Sequence, residues 1–482
     1  VSELPALDAM DNPTVQGRRP GALEWVALFA LVVHGTQAAY NILRGPKGSA
    51  TMYVSLADVL LGVAFLLWIL RRIARRDFSW PPITVPLLAA AWMALSLGAL
   101  LWRTKGVGLP CGNAAKSGLK EILQFCEYFL VAYLVLAEAF RSERVRRWAV
   151  PLLAVSAVVA VGAALTQYFS SGPVMAVVGP KFVDRHTFGM FLALALPLIC
   201  GVAIFSYSWW KRALVALLIL ASLCVMLAGG PFLALCAGLL VVAGLRGRAW
   251  VLVVAVALLL LCTQVLPHLP RGNSDVLLDS VALYRTGDPY GIFNEVIPDA
   301  QRRLGMKRAA LNGKIMSQRP IDSPAEIPTE ADYAWKWSQR YQEWQAALNM
   351  MSQHPWLGVG TGSYQKEVGP YYGDMPKYAK NLMEPDALSF YMVWGASVGV
   401  PFLLLFGWML LRAGGSAAQA CLGERSPFDR GLAAGVIGSL VAFLIGGVFT
   451  DPLVRGVGMT TALVLALALT LAPKPGAPEK RE

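Results

Sequence analysis

Charge within its apolar stretches is what this sequence has least of. Only 15% of the 482 residues are Asp, Glu, Lys or Arg, and almost all of them fall between the long apolar runs. Those inside a run mostly sit near its ends; Asp58 and Glu127 lie deeper, the latter near the middle of its run. Paired cysteines are lacking too. The seven, at positions 111, 126, 200, 224, 236, 262 and 421, lie mostly inside apolar runs, where Cys serves as a small apolar residue. No CxxC and no Cys/His cluster occurs, so neither a disulfide framework nor a metal site is expected, and no cofactor is implied. The four histidines, at 34, 186, 268 and 354, are scattered. The formal net charge of +12 sits largely in short loops beside apolar runs. That is a membrane-orientation pattern and gives no reason to expect a nucleic-acid partner.

Apolar sequence is what is abundant: 56% of the residues are hydrophobic. Helical runs of about 18 or more apolar residues span a bilayer core of about 30 Å. Twelve runs approach or reach that length, at 22–43, 53–70, 84–101, 121–140, 148–169, 187–205, 213–228, 231–246, 249–266, 387–411, 431–449 and 456–472. The seventh and eighth are short and meet at Ala-Gly-Gly-Pro. The expected fold is an all-α polytopic membrane protein of about twelve transmembrane helices. Residues 1–266 supply helices one to nine, 267–386 a large insert, and 387–482 helices ten to twelve and a tail.

Basic loops set the orientation. Residues 71–78 and 141–147 each carry four Arg, and 211–212, 246–248 and the tail are also basic. With twelve spans they share one side, the cytoplasm, with both termini, and the insert faces outward. The polar start with Arg18 and Arg19 leads into a full-length run, which reads as a signal anchor and not a cleaved leader. The segment 102–120 dissents, placing Arg103, Lys105, Lys116 and Lys120 outside. Either the rule scatters here, or an anionic ligand is held at the outer surface.

Within the insert, residues 331–353 have a helical period. Tyr333, Trp337, Tyr341, Trp344 and Leu348 stripe one face, for packing or for the membrane interface. Pro355 stops the helix, and His354-Pro-Trp-Leu-Gly-Val-Gly-Thr-Gly-Ser-Tyr364 follows. Its glycines permit either a tight packed turn or close approach of N–H groups to a ligand. Further on, Glu384 and Asp386 stand at the membrane lip, where a carboxylate bordering a cavity can act as a base.

The pattern from Arg340 through Trp344 to the His-Pro-Trp-Leu-Gly-Val-Gly block resembles the signature of the O-antigen ligase and polysaccharide polymerase (Wzy-type) family. Residues 388–406 are similar to the family's next span, and 179–198 resemble its outer loop running into a Leu/Ala-rich span. The resemblance implies a GT-C-like, metal-independent glycosyltransferase of the bacterial inner membrane with a periplasmic insert. Such enzymes take a glycan from undecaprenyl diphosphate and pass it to lipid A-core or to another lipid-linked glycan. Arg340 matches the family's arginine. Arg185, His186, Lys116 and Lys120, at the outer ends of their spans, join it as candidates for holding the diphosphate.

Two departures stand out. Leu388 and Ser389 occupy the place of the ligases' histidine, and Gly230-Pro231 replace an arginine region. The base is therefore sought in Glu384, Asp386 or His354, where His354 either shapes the turn or touches substrate. A polytopic transporter and a non-catalytic scaffold of polysaccharide assembly remain the competing classes. The scarcity of charge deep in the runs counts against the transporter.

Overall fold

The computed structural model describes residues 21–36, 56–76, 82–106, 112–171, 185–206, 208–226, 229–247, 343–372, 387, 389–453 and 457–471. Among them there are helices and turns and no strand. Helices α1 (Ala22–Thr36), α2 (Leu56–Arg75) and α3 (Thr84–Gly106) come first. Then α4 (Gly112–Cys126) continues through a π-helical segment (Glu127–Ala132) into α5 (Tyr133–Ala139). Next are α6 (Glu143–Ser171), α7 (Arg185–Ser206), α8 (Trp209–Val225) and α9 (Gly229–Leu245). A helix over 343–353 is α10, and α11 is the single turn Tyr364–Glu367. The chain closes with α12 (Phe390–Val398), α13 (Val400–Leu422), α14 (Pro427–Phe449) and α15 (Val457–Thr470).

Among the described residues, six helices are long and apolar enough to cross a membrane: Thr84–Lys105, Ala115–Ala139, Glu143–Thr166, His186–Ser206, Val400–Leu422 and Pro427–Phe449. Ala22–Val33, Gly230–Leu245 and Val457–Thr470 are shorter apolar helices. The protein is thus a helical, polytopic membrane protein. The expected ninth run, 249–266, lies outside the described residues.

Helix α7 is the central pillar. It is apolar on every side, so it is buried on every side: 94% of its most apolar stretch is covered. Small residues let its neighbours approach to backbone contact. A Cβ on Gly201 would lie 2.7 Å from the Gly435 nitrogen on α14, and one on Gly238 of α9 would lie 2.7 Å from the Gly438 oxygen. Lipid tails are as apolar as leucine, so close van der Waals packing of this kind holds membrane helices together.

The basic loops converge on one end of the bundle through ion pairs. Arg71 meets Glu24 at 2.5 Å, Arg72 meets Glu138 at 2.8 Å, Arg141 joins Glu138 at 3.1 Å, and Arg146 reaches Asp429 at 3.5 Å. The Arg72 and Glu138 side chains are 8% and 7% exposed. Four helices, α1, α2, α5 and α6, are thereby tied to one another or to α14.

The tenth expected run is divided. Helix α12 stops at Val398, Gly399 adopts φ +98°, and α13 starts at Val400 with Pro401 in its first turn. Nine residues make a helix of about 13 Å, too short to cross a bilayer. The apolar run continued through the break, so hydropathy alone could not show it.

Removing Glu138 takes the shared carboxylate from both Arg72 and Arg141 and leaves the Arg72 charge buried. Glu138→Ala is expected to cost about 3–5 kcal/mol, read as a lowered thermal midpoint of the purified protein. The exposed pair Arg147–Glu143, 2.6 Å apart, serves as the control and should show little change when Arg147 is replaced by Ala.

Candidate functional site at the insert end

The break at Gly399 leaves backbone groups of α12 and α13 without helical partners, and in a membrane those groups must be satisfied by protein. The turn after α10 satisfies them. Val359 N–H donates to Ala396 O at 3.0 Å, Gly360 N–H to Ser397 O at 2.9 Å, and Val400 N–H to Pro355 O at 2.9 Å. Two glycines make the approach possible. Gly358, at φ +62°, has no room for a Cβ against the Ser397 carbonyl, and Gly399 has none against the Trp356 carbonyl. Any side chain there would meet both a disfavoured backbone conformation and a clash.

Helix α3 clamps the turn from its other side. Ser96 Oγ lies 2.7 Å from Leu357 O and 3.2 Å from Ser397 O, and accepts the Thr361 N–H at 3.1 Å. Thr361 Oγ1 donates to Met93 O at 2.8 Å, and the Trp92 indole N–H donates to Trp356 O at 3.1 Å. Arg103 reaches Val359 O at 2.8 Å and Gly358 O at 3.4 Å. The N–H groups of Gly358, Val359, Gly360, Thr361 and Ser363 all donate within the protein. The glycines therefore serve the packed turn. They do not form a phosphate cradle.

A small second core lies behind this turn, built from Ala346, Ala347, Met350, Val359, Tyr364 and Val368 with their neighbours. The buried face of α10 is Glu343, Ala346, Ala347 and Met350. Of the aromatic stripe expected from sequence, Trp344 packs against this core. Leu348 is 43% exposed, and Trp344 is half-buried and donates its indole N–H to Ala387 O at 3.2 Å. Alanine at two adjacent positions allows the helix to lie close against the turn, and that close face buries more completely than the aromatic one. Tyr333, Trp337 and Tyr341 lie outside the described residues.

The candidate site residues divide as follows. His354 caps the end of α10, its ring edge-on to Tyr371 with centroids 6.2 Å apart. Burial, helped by the Arg103 charge and opposed by Glu367, holds its pKa below 6.5. Burial and Glu367 push the Tyr371 phenol up, against Arg103. Lys116 and Lys120 are exposed on α4, beside Ser117, which receives Lys366 Nζ at 3.1 Å. His186 is buried, 9% exposed, in the first turn of α7. Arg185 opens that helix, but its side chain lies outside the described residues, as do Arg340, Glu384 and Asp386. The structure thus brings His354, Arg103 and Lys366 to one end of the bundle, with Lys116 on the adjoining helix.

Asp451 is a residue that sequence reading missed. It stands just past α14, accepting from the Trp394 indole at 3.0 Å and from Leu453 N–H at 3.0 Å. Gln124 of α4 donates to Leu453 O at 3.2 Å, and Phe390 N–H donates to Thr450 O at 3.1 Å. Asp451 therefore fixes the start of α12, only a few residues after Glu384 and Asp386. The available signal was Thr-Asp-Pro closing an apolar run. Beside the turn, an open groove of about 970 Å³ runs along α3, with small Ala91, Ala94 and Gly98 between Trp92, Trp102 and Trp356. No group of three His, Cys, Asp or Glu suited to a metal occurs among the described residues.

Ser96→Ala would leave the Thr361 N–H unsatisfied in a buried position, which costs about 1–3 kcal/mol. A lowered thermal midpoint, with faster proteolysis near 354–363, is the expected result. If His354 acts as a base, its neutral form is the active one, so the acid limb of the pH–rate profile falls below pH 6.5. Arg103→Gln removes a charge that lowers this pKa and shifts that limb to higher pH, while Glu367→Gln shifts it lower.

No curated protein matches the chain. Residues 214–407 match the family model described as O-antigen ligase, a stretch that takes in the His354–Tyr364 turn, α12 and the first part of α13. Over that stretch the chain is similar to that family.

Proposed function

We propose that this protein is a glycosyltransferase acting at the outer face of the bacterial inner membrane, in polymerisation or ligation of a surface polysaccharide. The donor is a glycan on undecaprenyl diphosphate. The acceptor is a second lipid-linked glycan or lipid A-core. The observation that carries this reading is the family's turn. It is locked into a broken helix at one end of the bundle, while the other end is tied shut by ion pairs. A clamped end and a polar opposite end suit one-sided chemistry better than passage of a solute.

The reaction needs few groups. A base takes the proton from an acceptor hydroxyl, that oxygen bonds to the sugar's anomeric carbon, and the bond from that carbon to the diphosphate oxygen breaks. The departing undecaprenyl diphosphate carries the electron pair away and needs cations around it. Arg340, Arg185, His186, Lys116 and Lys120 are the proposed diphosphate ligands. Arginine ranks first because its planar fork pairs two phosphate oxygens at once. Glu384, Asp386 and His354 are the proposed bases. His354 is neutral at pH 7, as a base must be. The α3 groove, apolar along its length, suits the polyprenyl chain.

A purified, reconstituted protein given a glycan-loaded donor should release undecaprenyl diphosphate. Flux across liposomes without bond cleavage would overturn the reading in favour of a transporter. In a deletion strain, Arg340→Ala, Glu384→Gln and Asp386→Asn should each be tested for polysaccharide amount and length. A drop of about a hundredfold to ten-thousandfold is expected for the variant that removes the base, from the usual worth of general-base catalysis. Normal polysaccharide from all three would sink the site assignment and leave the transfer activity to the reconstitution.

A further inference from the structure

Arg103, in the last turn of α3, uses only part of its guanidinium to hold the His354 turn. Its Nη2 lies 2.8 Å from Val359 O and 3.4 Å from Gly358 O, and its Nε lies 3.4 Å from Ala99 O. Nη1 carries two N–H groups and makes no hydrogen bond among the described residues. A neutral donor would serve the carbonyls equally, so the clamp does not account for the charge. That charge is close enough to His354 and Tyr371 to oppose protonation of the His354 ring. The residue is exposed, so a ligand can reach it.

Other cations stand around the same turn. Helix α4 packs directly on it: a Cβ on Gly362 would lie 2.7 Å from the Ser117 carbonyl carbon, and one on Gly118 would lie 2.6 Å from Thr361 O. Lys116, next to Ser117, is exposed, as are Lys120 one helical turn on and Lys105 beside Arg103. Among the described residues, Arg103, Lys105, Lys116 and Lys120 form no ion pair. Glu367, the acid that acts on His354 and Tyr371, is exposed and pairs with none of the four. The opposite end of the bundle is different. There Arg71 is matched with Glu24, Arg72 and Arg141 with Glu138, and Arg146 with Asp429. Positive charge is balanced at that end and left open at this one.

We propose that Arg103 is a ligand for a phosphate-type oxyanion held beside the His354 turn, with Lys116 on the adjoining helix as a second charge. The anion accepts charge-assisted hydrogen bonds from Nη1 and offsets the open charges around it. Arginine suits both tasks. It is always charged, and its planar group lets some N–H donors hold the turn while others meet the ligand. Two molecules present this chemistry at a membrane surface: the diphosphate of a lipid-linked donor and the headgroup phosphate of a phospholipid. Choosing the donor rests on the glycosyltransferase reading; the anion site itself does not.

The test uses the full chain, purified in a neutral detergent. Its thermal midpoint is followed against rising inorganic pyrophosphate, and separately against phosphatidylglycerol with phosphatidylcholine as reference. A ligand of the folded state raises the midpoint. A gain of several degrees with pyrophosphate identifies the donor's diphosphate, and a gain with phosphatidylglycerol alone identifies the headgroup. Arg103→Gln, which can still donate to Val359 O, should lose the gain. Arg103→Lys keeps the charge but gathers its donors on one atom, so it should need several times more anion for the same gain. Two controls should keep the gain in full. Ser96→Ala loosens the same turn without changing charge, and Arg147→Gln removes an exposed charge at the opposite end. No gain in wild type with either anion would overturn the site. So would a full gain in Arg103→Gln, or an equal loss in either control. If Arg103→Gln does not fold, Arg103→Lys decides, and a wild-type response from it would overturn the assignment.

Discussion

Backbone groups freed where a helix breaks need new partners, and that constraint organises the His354 end of this protein. The gap between α12 and α13 exists because Gly399 turns the chain at φ +98°. It is tolerated because the turn beginning at Pro355 supplies the missing donors and acceptors. Everything nearby follows from that exchange. Gly358 must lack a side chain to let the two backbones meet, Ser96 must present a hydroxyl between them, and α3 must lie close enough for Arg103 to reach over the top. The family block and the broken helix are two halves of one interlocked unit.

The rest of the molecule supplies rigidity around that unit. The glycine contacts of α7 with α14 leave no slack for the pillar to tilt, and the ion pairs at the opposite end join α1, α2 and α5 and tie α6 to α14. The described turn at His354 is therefore carried on a closely packed frame. Asp451 illustrates the economy. Both its oxygens are engaged by protein donors, so it ties the segment after α14 to α12.

Much of the architecture was legible in the sequence, because long apolar runs have only one stable form in a lipid core. Helices α3, α7 and α14 sit within a few residues of the expected runs, and His354-Pro355 ends α10 where the sequence says it should. What was not legible depends on three-dimensional partners. Residues 387–411 read as one continuous run, since Gly399 and Pro401 are both ordinary within membrane helices. The break is decided by a segment about forty residues earlier in the chain. The burial of α10 through alanines was hidden for a similar reason: the aromatic stripe is the stronger pattern, but the closest approach is made by the smallest side chains. Of the candidate site, the His354 turn could be read by resemblance. The clamp by Ser96, Thr361 and Arg103 could not, because Ser96 and Arg103 lie in a helix far from it in sequence.

The division at Gly399 also fixes an order of events during synthesis. The nine residues of α12 are too few to be recognised as a membrane crossing in their own right. Their open backbone groups are closed by residues 355–360, which leave the ribosome earlier. The turn is thus synthesised before the half-helix that it completes.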